Sequence, residues 1–167
     1  MTKKQVSERI IQDGKPLSQD KFFWDETSRV FATNEDNLII DFSGESFCVL
    51  RFGSYCHVTT GSDCDFRMDS HNTVKTSWNC NFNGKDDNTF DTGSHCTFDL
   101  GCGNSFKTKW NCQFNAKNDN HFDTESYCTY NITYGCTFDA GKECVAIRRD
   151  VFEVIILEDT KKIINKE

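Results

Sequence analysis

The sequence predicts an all-β protein: a parallel two-sheet β-solenoid, or β-helix, with a short N-terminal helix and strand cap and a C-terminal strand cap. Three observations predict this fold. Cysteine or asparagine recurs every eight residues, an aromatic residue follows two positions later, and polar residues alternate with both. A strict short period is typical of repeat architectures. Alternation with a period of two is typical of strands that bury one face.

The eight-residue grid is filled by two residue types. Its cysteines and asparagines are Cys48, Cys56, Cys64, Asn72, Cys80, Asn88, Cys96, Asn104, Cys112, Asn120, Cys128, Cys136 and Cys144. We number each octad from this residue as position 0, so that the aromatic residue is at position 2. Glycine recurs at position 5, where we expect it to supply the turn between strands. Each octad therefore predicts one short strand and one corner.

Charge distinguishes coils of two octapeptides from coils of four, which an internal match between residues 78–98 and 110–130 would also allow. At one outward position, residues sixteen apart read Lys75, Asp91, Lys107 and Asp123. Coils of sixteen residues would stack these alternating charges about 4.8 Å apart, which is favourable. Corner pairs agree, with Asp69 expected beside Lys85 and Lys109 beside Glu125. We therefore predict coils of 16 residues.

The inward positions predict a thin core between two sheets. We expect position 2 to face position 6 of the opposite strand, so that phenylalanine packs against serine; Trp78 and Trp110 break this pattern. Grid cysteines are expected to be buried as small apolar residues, and grid asparagines to hydrogen-bond along their column. Cys102 lies off the grid and is a candidate reactive thiol.

The chain divides into a capping segment over residues 1–39, a solenoid over 40–147 and a second cap over 148–167. Helical spacing of apolar residues predicts a helix over residues 4–13 that ends at Gly14. Residues 151–157 predict a strand that caps the last coil or pairs with another subunit. The candidate oligomer interface in this strand comprises Val151, Val154, Ile155 and Leu157.

Composition predicts one domain in a reducing compartment. The N-terminus lacks the apolar stretch of a secretory signal, and no apolar run is long enough to cross a membrane. Ten cysteines are then expected to be reduced thiols in a cytoplasm. The net charge of −7 argues against direct nucleic-acid binding through a basic surface and suits a basic partner.

The sequence predicts no catalytic residues, cofactor or metal site. Cysteines in register on parallel strands point the same way, whereas metal ligands must converge. The short uniform coils predict no inserted loops that would build a catalytic cleft. Two sets of residues are candidates for partner binding instead: an apolar corner column and outward carboxylates. They comprise Met68, Leu100 and Ile132, and Asp91, Asp99, Asp123 and Asp139.

Several segments resemble the octapeptide arrays of phage-encoded proteins, which repeat a Cys-Thr-Phe-x-Thr-Gly unit. They are Cys96-Thr97-Phe98-Asp99, Cys136-Thr137-Phe138-Asp139 and Phe90-Asp91-Thr92-Gly93, and residues 143–155 resemble the segment that closes such arrays. The resemblance covers about residues 29–157, with departures at Trp78, Lys85, Trp110 and Lys117. It implies a solenoid from a phage or prophage and brings no catalytic residues.

Three functions are open at this point. The first is a non-enzymatic binding protein that acts in the cytoplasm of an infected bacterium, where the phage resemblance suggests inhibition of a host defence protein. The second is a structural role, in the virion or as a homo-oligomeric scaffold built through residues 151–157. The third is an acidic mimic of DNA.

Overall fold

The computed structural model of the chain describes residues 1–163. It contains one short helix and twenty strands: α1 (Lys3–Glu8), β1 (Ile10–Gln12), β2 (Lys15–Pro16), β3 (Phe23–Asp25), β4 (Val30–Ala32), β5 (Ile39–Phe42), β6 (Val49–Phe52), β7 (His57–Thr60), β8 (Asp65–Met68), β9 (Thr73–Lys75), β10 (Asn81–Asn83), β11 (Thr89–Asp91), β12 (Thr97–Asp99), β13 (Ser105–Thr108), β14 (Gln113–Asn115), β15 (His121–Thr124), β16 (Thr129–Ile132), β17 (Thr137–Ala140), β18 (Cys144–Arg148), β19 (Glu153–Leu157) and β20 (Thr160–Ile163).

The strands form a β-solenoid of about 7 turns with coils of roughly 16 residues, as predicted. Alternate strands belong to two ten-stranded sheets, which we call sheet A and sheet B. Sheet A has the order β2-β1-β5-β7-β9-β11-β13-β15-β17-β20, and sheet B has the order β19-β18-β16-β14-β12-β10-β8-β6-β4-β3. The coils pair in parallel with a shift of sixteen residues, so that Phe82 lies beside Phe98 and Phe90 beside Phe106.

Two of the five charge pairs expected from this coil length form. Lys75 Nζ lies 3.6 Å from the Asp91 carboxylate, and Lys85 Nζ lies 2.5 Å from that of Asp69. Within residues 1–159, by contrast, Lys107 forms no ion pair with Asp91 or Asp123, and Lys109 forms none with Glu125. The side chains of the two pairs that do form are exposed, so solvent screens these pairs and they add little to stability.

Antiparallel strands cap both ends of the stack. At the N-terminal end β1 pairs with β5 and β3 with β4, and at the C-terminal end β19 pairs with β18 and β20 with β17. A bare terminal coil would offer unpaired backbone groups, which these strands satisfy. Parallel pairing between coils starts at Val30, which pairs with Val49, nineteen residues later. In the next pairing Ile39 lies beside His57, eighteen residues later, and the period of sixteen begins after that.

The predicted N-terminal helix is shorter than expected. Helix α1 is capped by Thr2 and ends at Glu8, whereas the apolar spacing predicted a helix to residue 13. Ile10 and Ile11 instead lie in β1, where they pair with Ile40 and Ile39 of the first solenoid coil. β-Branched residues fit a strand better than a helix, and the free edge of β5 provides the partner.

The core is a double column of aromatic rings, which corrects the predicted packing of phenylalanine against serine. Within each sheet the rings stack 4.7–5.3 Å apart with planes within 12° of parallel. Between the sheets, rings such as Phe90 and Phe98 meet edge to face at 4.9–5.3 Å. Position 2 of one sheet therefore faces position 2 of the other sheet. The rings of the two sheets alternate in height along the stack, so that the edge of each ring meets the faces of rings in the opposite sheet.

The left-handed backbone residue of each corner is at position 7 and not at the position-5 glycines. Non-glycine residues with φ between 56° and 61° recur there, including Asp63, His71 and Asn79. Asn, Asp and His tolerate this conformation best among side chains. The position-5 glycines have another role: a Cβ on Gly93 would lie 2.1 Å from the Ser77 carbonyl oxygen of the preceding coil.

The two tryptophans at position 6 lie outside the core. Trp78 is 54% exposed and Trp110 is 45% exposed, whereas Ser94 in the coil between them is buried. Position 6 belongs to the corner and not to the sheet, so a large side chain there can turn toward solvent. This outward rotation explains how the coil accepts tryptophan at a position that we predicted to face inward.

The buried asparagines form a hydrogen-bonded column, as predicted. Their Oδ1 atoms accept the backbone N–H of the grid residue one coil earlier, from Cys56 to Asn104, at 2.8–2.9 Å. The Nδ2 groups of Asn88, Asn104 and Asn120 donate to corner carbonyls. Cysteine at the same positions is buried, and all ten thiols are free.

Candidate protein-binding surface

The apolar corner column is part of the core. Met68, Leu100 and Ile132 are at most 5% exposed. A Cβ on Gly84, which lies between the coils of Met68 and Leu100, would come within 2.9 Å of both their side chains. This column was a candidate contact surface, with burial in the corner core as the alternative. The side chains are buried, because position 4 turns inward before the chain leaves the sheet.

The four outward aspartates do not form one site. Asp91, Asp123 and Asp139 lie in sheet A, whereas Asp99 lies in sheet B on the opposite face. Asp91 pairs with Lys75, and the Asp99 carboxylate accepts a hydrogen bond of 2.8 Å from the Asn115 amide. Asp91, Asp123 and Asp139 therefore share one column of sheet A, in which Asp123 lies beside Asp139, and Asp99 belongs to a column of sheet B.

The C-terminal strand contributes to both core and surface. Ile155 and Leu157 are buried against the last coil, so these two predicted oligomer-interface residues are not available to a partner in this structure. Val151 and Val154 are exposed at 52% and 65%. The division follows the two-residue period of a strand: β19 covers the core with one face and presents the other to solvent.

Exposed apolar side chains cluster at this end of the molecule. Of the twelve exposed large apolar residues within residues 1–159, five lie between Ile147 and Ile156. We call them the C-terminal apolar surface, and they comprise Ile147, Val151, Phe152, Val154 and Ile156. Ile147 lies directly opposite Val154 in the β18–β19 hairpin, and Phe152, in its turn, is 91% exposed. A contiguous apolar patch of this kind is typical of an interaction site.

Acidic residues border the C-terminal apolar surface. Arg148, which is buried, holds the hairpin turn through Asp150 at 2.7 Å and Glu153 at 3.6 Å. The hydrogen bond from Arg148 lowers the pKa of the Asp150 carboxyl, which keeps it ionised. The border is therefore polar, but its two carboxylates are paired with Arg148, so the net charge of the whole chain, and not this border, favours a basic partner.

Sequence reasoning missed three members of this surface, namely Ile147, Phe152 and Ile156. A usable signal was present, because the run from Val154 to Leu157 is apolar at every position. A strand at the end of a stack buries only one face, so alternate members of such a run must be exposed. The sequence alone could not show which alternate members those are.

Cys102 is more accessible than the grid thiols. It is partly exposed, and its Sγ donates a hydrogen bond of 2.9 Å to Asn118 Oδ1. Its reactivity stays a prediction. No group of three or more His, Cys, Asp or Glu residues in the described part of the chain is placed to hold a metal ion.

The buried thiols make the free energy of unfolding depend on pH in the alkaline range. Burial raises the pKa of Cys56 and of Cys136 from 9.0 to about 11. Between these values the unfolded chain binds fewer protons than the folded chain, so the free energy of unfolding falls as pH rises. We expect a loss of about 2 kcal/mol per thiol between pH 9 and pH 11, measured by urea denaturation.

The matched control for this pH dependence is the double variant Cys56→Ala and Cys136→Ala. It lacks both thiols and should lose correspondingly less stability over the same pH interval. A wild-type protein whose decline equals that of the variant would contradict the assignment. Thiol labelling at pH 8 should modify Cys102 in the folded protein before the nine grid cysteines.

Comparisons with known proteins found no match: no family model, curated protein or solved structure matches this chain. A helix long and apolar enough to cross a membrane is absent from the described residues.

Proposed function

We propose that this protein is a non-enzymatic binding protein, a rigid solenoid that docks a protein partner on its C-terminal apolar surface. The observation that carries the proposal is the clustering of five exposed apolar residues at one end of the stack. Parallel coils joined by short corners resist bending, so the surface is held ready without an ordering cost on binding.

Charge favours a different protein over a second copy of this chain as the partner. The protein carries a net charge of −7, and Asp150 and Glu153 border the surface. Two copies that each carry this net charge would repel one another, whereas a basic partner would be attracted. The unpaired edge of β19, at the end of sheet B, would support self-association instead, and the test below includes this outcome.

The resemblance of the octads to phage octapeptide arrays suggests a specific kind of partner. The partner is then a host protein in the cytoplasm of an infected bacterium, and the effect is inhibition of a defence system. A virion role would require the chain to be present in purified particles. DNA mimicry has less support, because lysines interrupt the sheet A carboxylate column and Asp99 is on the other face.

Plaque assays test this function. Wild-type protein is expressed in bacteria that each carry one defence system, and we expect restored phage plating, by tenfold or more, with one of them. The variant Val154→Asp and Ile156→Asp should lose this effect and bind the purified target at least 100-fold more weakly, because charge would enter an apolar interface. Both side chains are exposed, so the thermal midpoint should stay within a few degrees.

Ile39→Asp is the matched control, since Ile39 is similarly exposed, at 53%, but lies at the other end of the stack. It should act as wild type does. The proposal would be overturned if the wild-type protein restored phage plating with none of the defence systems, or if the double variant restored it as well as wild type does. A dimer seen by native mass spectrometry, and broken only by the double variant, would assign the surface to a second copy.

A further inference from the structure

The free edge of β19 is the least protected strand edge of the two sheets. Within residues 1–163, four strands lie at the ends of the sheets, and each has a neighbour on one side only: β2, β3, β19 and β20. β2 has two residues and contains Pro16, β3 has three residues, and β20 contains Lys161 and Lys162. Short strands, proline and lysine hinder pairing with another chain. β19 has five residues, four of them apolar, and lacks proline and lysine.

The hydrogen bonds of β18 show which backbone groups of β19 face this edge. The N–H of Val145 donates to a carbonyl of the preceding coil at 3.0 Å, so the N–H and C=O of Ala146 point the other way, toward β19. Ala146 lies directly opposite Ile155, and such a pair exchanges both of its N–H···O bonds. The N–H and C=O groups of Val154 and Ile156 therefore point away from β18, to the free edge.

The same two residues present their side chains to solvent. Val154 and Ile156 are both exposed and belong to the C-terminal apolar surface. Across the β18–β19 hairpin, Val154 lies beside Ile147 and Ile156 lies beside Val145. A strand added at the free edge would bond the unpaired backbone groups of β19 and place every second side chain in line with these two apolar rows.

We propose that the partner docks by strand addition: an extended segment of the partner pairs with β19 and becomes the next strand of sheet B. This inference rests on the proposed function for the place of contact and adds the form that the partner takes there. The segment is apolar at every second position, because these side chains lie beside Val154 and Ile156. It carries lysine or arginine and lacks acidic residues, since the chain has a net charge of −7.

Selection from a ribosome-displayed library of random nine-residue peptides tests the proposal, with the immobilised full chain as bait. We expect the enriched peptides to carry apolar residues at alternate positions and a positive net charge, and to lack proline at their centre. Synthetic copies of these peptides should bind the full chain with a Kd at or below about 0.1 mM.

Ile156→Pro and Ile156→Ala separate strand addition from contact through side chains alone. Both shorten the same exposed side chain, but only proline removes the N–H that an added strand would use. Ile156→Pro should bind the peptides about 5- to 150-fold more weakly than Ile156→Ala, because one peptide carbonyl loses its donor. Proline is tolerated where the N–H of an edge strand faces solvent, so both variants should fold, which thermal denaturation checks.

Hydrogen exchange followed by NMR gives a second measurement that needs no substitution. A bound peptide should slow the exchange of the Val154 and Ile156 N–H groups by about tenfold or more. The N–H of Ile155 is the internal control: it already pairs with β18, so its exchange should change less.

Each of three results would overturn strand addition: no enriched peptide, equal peptide binding by the proline and alanine variants, or unchanged exchange at Val154 and Ile156. A dimer of the free chain that Ile156→Pro dissociates would also overturn it, by assigning the edge to a second copy. The selection uses no defence system. Failed phage plating with a successful selection would therefore remove the host target alone, whereas restored plating with a failed selection would remove strand addition alone.

Discussion

Phe98→Ala is expected to lower the free energy of unfolding by about 4 kcal/mol, within the range for removing a buried aromatic ring. Phe98 is fully buried and stacks between Phe82 at 4.7 Å and Phe114 at 4.9 Å. It also meets Phe90 and Phe106 edge to face at 5.3 Å and 5.1 Å. Urea denaturation followed by circular dichroism measures the change.

The cost should be near the upper end of that range because the cavity cannot collapse. Backbone hydrogen bonds of about 3.0 Å, such as that from the Thr97 N–H to the Cys80 carbonyl, hold each coil to its neighbours. Empty space left by one ring would therefore persist. In a stack, loss at a central coil also weakens both of its interfaces.

Phe152→Ala is the matched control for Phe98→Ala. The same atoms are removed from a side chain that is 91% exposed, so stability should change by less than about 0.5 kcal/mol. A loss below about 1.5 kcal/mol at Phe98 would contradict a rigid aromatic double column and would indicate that the coils relax around the gap.

Asn104→Ala is expected to cost about 3–4 kcal/mol, because it removes one link of the buried amide column. Asn104 Oδ1 accepts the backbone N–H of Asn88 at 2.9 Å. Its Nδ2 donates to the Cys102 carbonyl and to Asn120 Oδ1, both at 3.1 Å. Alanine would leave the buried Asn88 N–H without a partner. It would also remove one hydrogen bond each from the Cys102 carbonyl and Asn120 Oδ1, which keep the backbone N–H groups of Asp87 and residue 104 as donors. Thermal and urea denaturation measure the effect.

Two controls separate hydrogen bonding from volume in this column. Asn115→Ala removes an exposed amide that bonds Asp99 at 2.8 Å, and it should cost less than about 0.5 kcal/mol. Asn104→Cys should cost less than Asn104→Ala, since a Cys144 Sγ already accepts the Cys128 backbone N–H at 3.4 Å. If alanine were tolerated as well as cysteine, the amide column would not contribute as we infer.

The repeat predicted the length of the coil because every octad has the same local pattern, and stacking brings equivalent positions of successive coils together. Like residues sixteen apart lie in contact, so the charge sequence from Lys75 to Asp123 reports the coil length directly. The predicted burial of the cysteine and asparagine columns follows from the same register. These features depend only on which residues are neighbours.

The backbone conformation of the corners was harder to predict, because two positions in each corner carry residue types that favour turns. Glycine at position 5 was expected to supply the turn between strands, yet the left-handed residue of the corner is at position 7, in residues such as Asp63 and Asn79. The recurrence of Asn, Asp and His at position 7 was the available signal. Gly93 is required for a contact between coils, and such a contact is visible only once the coils are stacked.

The sequence by itself determined the all-β class, the two-sheet solenoid, the coil of sixteen residues and the need for caps, since strand period and stacking register are repeated in every octad. Only the tertiary structure decided which corner residues face inward. It buried Met68, Leu100 and Ile132, turned Trp78 and Trp110 outward and exposed one face of β19. The physical reason is that a corner has no fixed two-residue alternation, so the direction of its side chains depends on the coils above and below.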